Sequence, residues 1–170
     1  MLNRCLTQKG ERHLKKSNIM TTNSVKNQKV VEMLNELLAD LQVVYQNLRT
    51  MHWLVKGSDF YMLHKLYEEY YNQTAEQVDE VAERVLMLGG TPLHTYTDYL
   101  NTAKVAVVTE VPAGKASLKV ALAQNEHLLN SYRAVLAEAS ANDDEGTVAL
   151  MSDFIGSTEK QVWMLQSTLA

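Results

Sequence analysis

Cysteine is almost missing. Cys5 is the only one in 170 residues, so no intrachain disulfide can form. Proline occurs twice and glycine seven times, while Leu, Ala, Glu, Lys and Met are plentiful, which favours helix over sheet. No apolar run approaches the roughly 20 residues of a membrane span. The first residues, MLNRCLTQKGERHLKKSNIM, are basic but lack an apolar h-region, which excludes a secretory signal there. There are no internal repeats, no glycine-rich phosphate loop and no Ser-His-Asp arrangement at a recognisable spacing. What remains suits one helical domain with a real core, since 46% of the residues are hydrophobic, and a cytoplasmic location is expected.

Charge divides the chain. Seven of the 16 Lys and Arg residues fall within residues 1–30, beside a single acid, Glu11, giving +6 there and −10 over residues 31–170. The acidic body and the basic leader are therefore separate regions: an extension over residues 1–24 and a domain over residues 25–170. The leader reads either as a solvated tail or as an arm that grips nucleic-acid phosphates, which would associate the protein with the nucleoid. Met20, in NIMTTNSV, is a second candidate for the first residue.

Four long helices follow from the periodicity. Val30, Leu34, Leu37, Leu38, Leu41, Val44, Tyr45 and Leu48 recur near every 3.6 residues and predict a helix from Val25 to Val55. Gly57 can end it, and Ser58 or Asp59 can cap the next. The second helix is predicted from Phe60 to Leu88, with Leu63, Tyr67, Tyr71, Val78, Ala82 and Val85 inward. Gly89, Gly90 and Pro92 stop it. A long connection over residues 89–112 contains DYLNTA, a candidate short helix. Pro112 is expected to open a third helix to Ala139. Asp143, Asp144 and Glu145 then mark the positive start of a fourth, which runs to Leu169 with Phe154, Val162, Trp163 and Leu165 inward. All-α, four helices with a long crossover between the second and third, is the ferritin-like bundle pattern.

Several ionisable residues lie where apolar ones belong. His52 continues the stripe of the first helix, four residues after Leu48. On the second helix His64, Glu68, Asp79 and Glu83 share about 100° of arc. Each has an ordinary reading: a satisfied core histidine, a partner for Arg84, a member of the charged run at Glu68 and Glu69. Together, two imidazoles and three carboxylates make the ligand set that iron or manganese prefers. His64 and Asp79 are about 22 Å apart along one helix, so no single centre can use both from one chain. If all five serve one site, His52, His64 and Glu68 come from one subunit, and Asp79 and Glu83 from an antiparallel second copy across a two-fold axis. The chain has no Glu-x-x-His pair, the signature of a di-iron site inside one bundle.

The segment NLRTMHWLVKGSDFYMLHKLYEEYYNQTAEQVDEVAERVLMLGGTP strongly resembles the Dps family, the DNA-binding proteins from starved cells, or mini-ferritins. The matching elements are H-W-x-x-x-G-x-x-F-x-x-L-H, D-x-x-A-E-R and L-G-G-x-P, and the likeness extends over residues 25–170. It implies a dodecameric hollow shell with iron bound as a di-iron ferroxidase centre at each dimer interface. His52, His64, Asp79 and Glu83 match the family's iron ligands. Glu68 stands where Asp is more common, and its extra methylene moves the carboxylate toward a bridging position. Trp53 matches a tryptophan beside the site that quenches one-electron oxidants or packs.

The resemblance further implies oxidation of Fe(II), with hydrogen peroxide in preference to oxygen, and storage of the ferric mineral in the shell, which protects DNA and cell from oxidative stress. The alternative is a protein that mainly binds and compacts DNA through its leader. Asp143, Asp144, Glu145, Asp153 and Glu159 are candidates for acids that line pores and walls. His13, His94 and His127 lack a partner at ligand spacing and are expected at the surface. Tyr61, Tyr67, Tyr70 and Tyr71 are expected to pack, with one or two of them as electron donors to the iron.

Overall fold

The computed structural model describes residues 27–170, and the expected extension over residues 1–24 lies outside the described residues. Five helices follow in order: α1 (Gln28–Leu54), α2 (Phe60–Met87), α3 (Tyr96–Thr102), α4 (Ala116–Ala141) and α5 (Glu145–Leu169). The four long ones form a bundle in which α1 packs on α2, α4 on α5, and α1 on α4. Short α3 belongs to the crossover and lies against α1. No strand occurs among the described residues, and none of their helices is long and apolar enough to cross a membrane.

The expected stripes build the core. Val30, Leu34, Leu37, Leu38, Leu41, Val44 and Leu48 of α1 meet Leu63, Tyr67, Val81 and Val85 of α2 and Leu118, Leu128, Tyr132 and Val135 of α4. Phe154 and Leu165 of α5 are buried as expected, and Val162 is half-buried. Trp163 is not a core residue: it is 64% exposed. Met151, Phe154, Thr158 and Leu165 define the buried face of α5, and a residue two positions from Leu165 points about 160° away from it. Two phenols cross the core with partners. Tyr67 Oη and Ser117 Oγ are 2.5 Å apart, and Tyr132 Oη donates to Gln77 Oε1 at 3.1 Å.

The third long helix starts later than Pro112 suggests. Gly114 has φ +55, a left-handed conformation that breaks a right-handed helix, so α4 begins at Ala116. The Gly114 N–H instead donates to the carbonyl of Lys56 at 2.9 Å, tying the end of the crossover to the α1–α2 turn. Gly57, with φ +118, supplies the reversal in that turn. The fourth long helix starts as its acids predict: Asp144 is the N-cap, and its carboxylate accepts from the Thr147 N–H at 3.2 Å.

Three polar side chains on α1 zip the crossover along that helix. Asn35 accepts from the Leu93 N–H at 2.8 Å and donates to the Thr91 carbonyl at 3.1 Å. Asn47 donates to the Ala106 carbonyl at 2.9 Å and accepts from the Val108 N–H at 2.8 Å. Between them the buried Asp40 accepts from the N–H groups of Lys104 at 2.6 Å and Val105 at 3.0 Å. His127 joins this cluster, which corrects its expected place as an unpartnered surface residue: its Nε2 lies 2.7 Å from the second Asp40 oxygen. A buried carboxylate left short of donors costs more than the about 1–3 kcal/mol of a neutral polar group, so an extended crossover bearing free N–H groups is drawn to it.

Candidate metal centre

The connection between α1 and α2 is only five residues long, residues 55–59. It returns the chain so tightly that the last turn of α1 faces the second turn of α2. His52 and His64 thereby meet, with stacked rings whose centroids are 3.7 Å apart at 19°. His52 Nδ1 is 2.8 Å from the carbonyl oxygen of His64, and His64 Nδ1 is 2.8 Å from the carbonyl oxygen of His52. A carbonyl oxygen only accepts, so both Nδ1 atoms carry the proton and donate. The proton on Nδ1 leaves Nε2 as the nitrogen whose lone pair a metal can take, with the ring orientation fixed from behind. Phe60 stacks on His64 at 5.1 Å, and Tyr71 stands edge-on to His52 at 5.4 Å.

His52 is 8% exposed, the environment of an apolar stripe. Glu68, one turn beyond His64, is exposed, as are Asp79 and Glu83. None of these three carboxylates makes a hydrogen bond or ion pair among the described residues. Arg84, the neighbour that could have neutralised the last two, is engaged elsewhere: it bonds the Asp144 carboxylate and donates from Nε to Thr147 Oγ1 at 2.9 Å. The structure thus brings the two histidines together and leaves Asp79 about 22 Å and Glu83 about 28 Å farther along α2. Among the described residues, no three His, Cys, Asp or Glu side chains of one chain converge on a metal-sized space. His64 and the pair Asp79 and Glu83 therefore lie toward opposite ends of α2, with His52 reaching the first of them from α1.

Trp53 stands apart from the two rings. It is 54% exposed, and the Arg49 guanidinium lies 4.7 Å over its ring. The aromatic neighbour of His52 within the chain is Tyr71, one of the tyrosines expected to pack or to donate electrons.

The other candidate acids separate by burial. Asp144 is 7% exposed and held by Arg84 and Thr147, so it is a cap and not a wall carboxylate. Glu159 is paired with Arg133 at 2.7 Å. Asp143, Glu145 and Asp153 are exposed. Asp153 of α5 faces Glu80 of α2, whose carboxyl is raised by burial and then by Glu76, Asp153, Asp79 and Glu83. Acidic potential therefore extends from Asp79 and Glu83 onto the α2–α5 face. His94 is exposed as expected, with Nδ1 3.1 Å from the Pro92 carbonyl oxygen, and His13 lies outside the described residues.

Comparison with known proteins places this architecture. Residues 31–170 match the ferritin family, described as a ferritin-like domain. The DNA protection during starvation protein of Porphyromonas gingivalis is 41% identical over 138 residues, 81% of this chain and 87% of that protein. Its counterpart in Helicobacter pylori is 33% identical over 143 residues, 84% of this chain and 98% of that protein. Among solved structures, the Dps protein of Vibrio cholerae O1 superposes with a TM-score of 0.86 at 40% identity, covering 91% of this chain and all of that one. That protein is described as a member of a broad superfamily of ferritin-like diiron-carboxylate proteins. The Dps protein of Bacillus brevis superposes with a TM-score of 0.83 at 30% identity, over 86% of this chain and 98% of that one. The chain belongs to the Dps family of ferritin-like proteins.

Proposed function

We propose that the protein is a ferroxidase and iron store that takes Fe(II) as substrate, oxidises it with hydrogen peroxide and keeps the ferric product inside a hollow dodecamer. The observation that carries this reading is the reciprocal bonding of His52 and His64, which leaves two Nε2 lone pairs beside one another on one half-site. The Nε2 atoms of His52 and His64, with the Glu68 carboxylate, hold ferrous iron from one subunit. Asp79 and Glu83 of a second subunit close the site, and their charge favours the ferric product. Two irons together supply the two electrons that convert one peroxide to two waters, so no hydroxyl radical leaves the centre. Exposed acids such as Glu80 and Asp153 raise the local concentration of cations along the path to and from the site.

The test is the amount of peroxide consumed per Fe(II) oxidised without oxygen. The expected result is one peroxide for two irons in the natural protein, with the rapid phase lost in His52→Ala/His64→Ala. Unchanged rapid oxidation in that variant contradicts the reading.

A DNA-binding role is the second reading, and it rests on the +6 charge of residues 1–30 against −10 in the rest of the chain. An acidic body repels DNA, so binding would depend on the leader and weaken steeply with salt. Chains beginning at Met1 and at Met20, compared by gel shift at low salt, decide it. A shift that needs residues 1–19 supports the role, and no shift with either chain ends it.

A further inference from the structure

The oxidation of paired irons balances, but a half-filled centre does not. One Fe(II) supplies one electron, and cleavage of the peroxide O–O bond to two waters takes two. The structure offers a candidate for the missing electron. Tyr71 is an oxidisable side chain in ring contact with a histidine of the site, edge-on to His52 at 5.4 Å. Phe60, in contact with His64, is far harder to oxidise. Tyr71 is half-buried, and its hydroxyl makes no hydrogen bond among the described residues.

Two neighbouring rings are poorer donors for an electrostatic reason. The Arg49 guanidinium sits 4.7 Å from the centroid of Trp53 and 5.2 Å from that of Tyr45. A cation over a π face is attracted to its electrons, so taking one away costs more there. Tyr45 touches Tyr71 edge-on at 6.1 Å. Arg49 therefore guards the next step outward along the aromatic path. No cation lies over Tyr71 among the described residues.

We infer that Tyr71, rather than Trp53, gives the second electron when a single Fe(II) at the centre meets peroxide. This rests on the ferroxidase reading above. The peroxide O–O bond breaks and two waters form. Fe(II) gives one electron and becomes Fe(III). Tyr71 gives the other electron together with its phenolic proton and becomes a neutral phenoxyl radical. Solvent supplies the one further proton. The radical stays beside the centre, held there by Arg49.

The experiment loads the full-length protein anaerobically with one Fe(II) per site, adds peroxide, freezes the mixture and records the paramagnetic spectrum. The expected result is a tyrosyl signal that narrows when the protein carries ring-deuterated tyrosine, a readout that needs no variant. It drops to background in Tyr71→Phe and survives in Trp53→Phe. Peroxide use rises to one per iron, against one for two irons when the site is filled. An indolyl signal indifferent to tyrosine labelling overturns the inference, and so does a tyrosyl signal that persists in Tyr71→Phe. No radical at one iron per site, with paired oxidation intact, also overturns it and leaves the ferroxidase reading standing. Loss of histidine dependence in the paired reaction brings down that reading instead.

Discussion

The Nδ1 protons of His52 and His64 each donate to the other residue's backbone carbonyl. The acceptor does not depend on the partner's side chain, so His64→Ala should leave His52 with its proton on Nδ1. Ring-nitrogen shifts of His52 in that variant check this. A proton found on Nε2 would show that ring stacking, not the carbonyl, sets the tautomer. Iron oxidation should still slow by more than about tenfold, because even the groups behind a ligand are worth that much. The histidines were legible in the sequence because they interrupt an apolar stripe within one short hairpin. Their crossed bonds to main chain were not legible, since these depend on the exact closure of the α1–α2 turn. The edge-on contact of Tyr71 with His52 was not legible for the same reason, although Tyr71 is one of the tyrosines expected to pack or to donate electrons. A second residue-scale prediction concerns pH. Burial, aided by Glu69 and Tyr67, pushes the Tyr70 phenol up to about 12, and burial also raises Tyr67 and Tyr132. The folded state thus holds these protons more tightly than the unfolded chain. Their contribution is complete below the ordinary tyrosine value of about 10 and is lost as pH climbs through the folded values. Denaturation midpoints followed from neutral to strongly alkaline pH should fall in that window, and less steeply in Tyr70→Phe. An identical alkaline slope in the variant would contradict this.

At the scale of elements, the long helices were legible because their information is local: a 3.6-residue stripe, a glycine or an acid at each end. The crossover was not, because its partners are far away in sequence. Asn35, Asp40 and Asn47 reach residues 56 to 65 positions distant, and nothing in their own spacing marks them as a zipper. The misplaced start of α4 has the same origin, since the Gly114 N–H answers to Lys56 rather than to its own helix. Trp163 lies about 160° around the helix from Leu165, so the two cannot share the buried face of α5. The zipper gives a prediction. Asp40→Ala removes the acceptor of two main-chain donors and of His127, and should destabilise the protein by about 2–3 kcal/mol. His127→Ala removes one bond at a half-exposed ring and should cost about 1 kcal/mol. Urea unfolding ranks the two, and amide exchange at Lys104 and Val105 should accelerate in Asp40→Ala alone. Equal losses in the two variants would mean that the histidine, not the main chain, anchors the crossover.

At the scale of the whole molecule, a helix 28 residues long carries His64 near its start and Asp79 and Glu83 toward its end. The carboxylates at one end and the Nε2 atoms at the other are both left without intrachain partners of the opposite kind, and in the centre proposed above an antiparallel neighbour satisfies both at once. On that proposal two equivalent sites form across one two-fold axis. The shared site makes a sharp prediction for mixed assemblies. His64→Ala chains and Asp79→Ala chains are each inactive alone, since every site in each pure assembly lacks one half. When the two are mixed and their subunits exchanged, a mixed dimer holds one doubly damaged site and one wholly natural site. The measurement is the rapid peroxide-driven oxidation of Fe(II) by the exchanged mixture. The account predicts recovery of roughly a quarter of natural site activity, the share of intact sites under random pairing. No recovery after confirmed exchange would contradict a centre built between subunits.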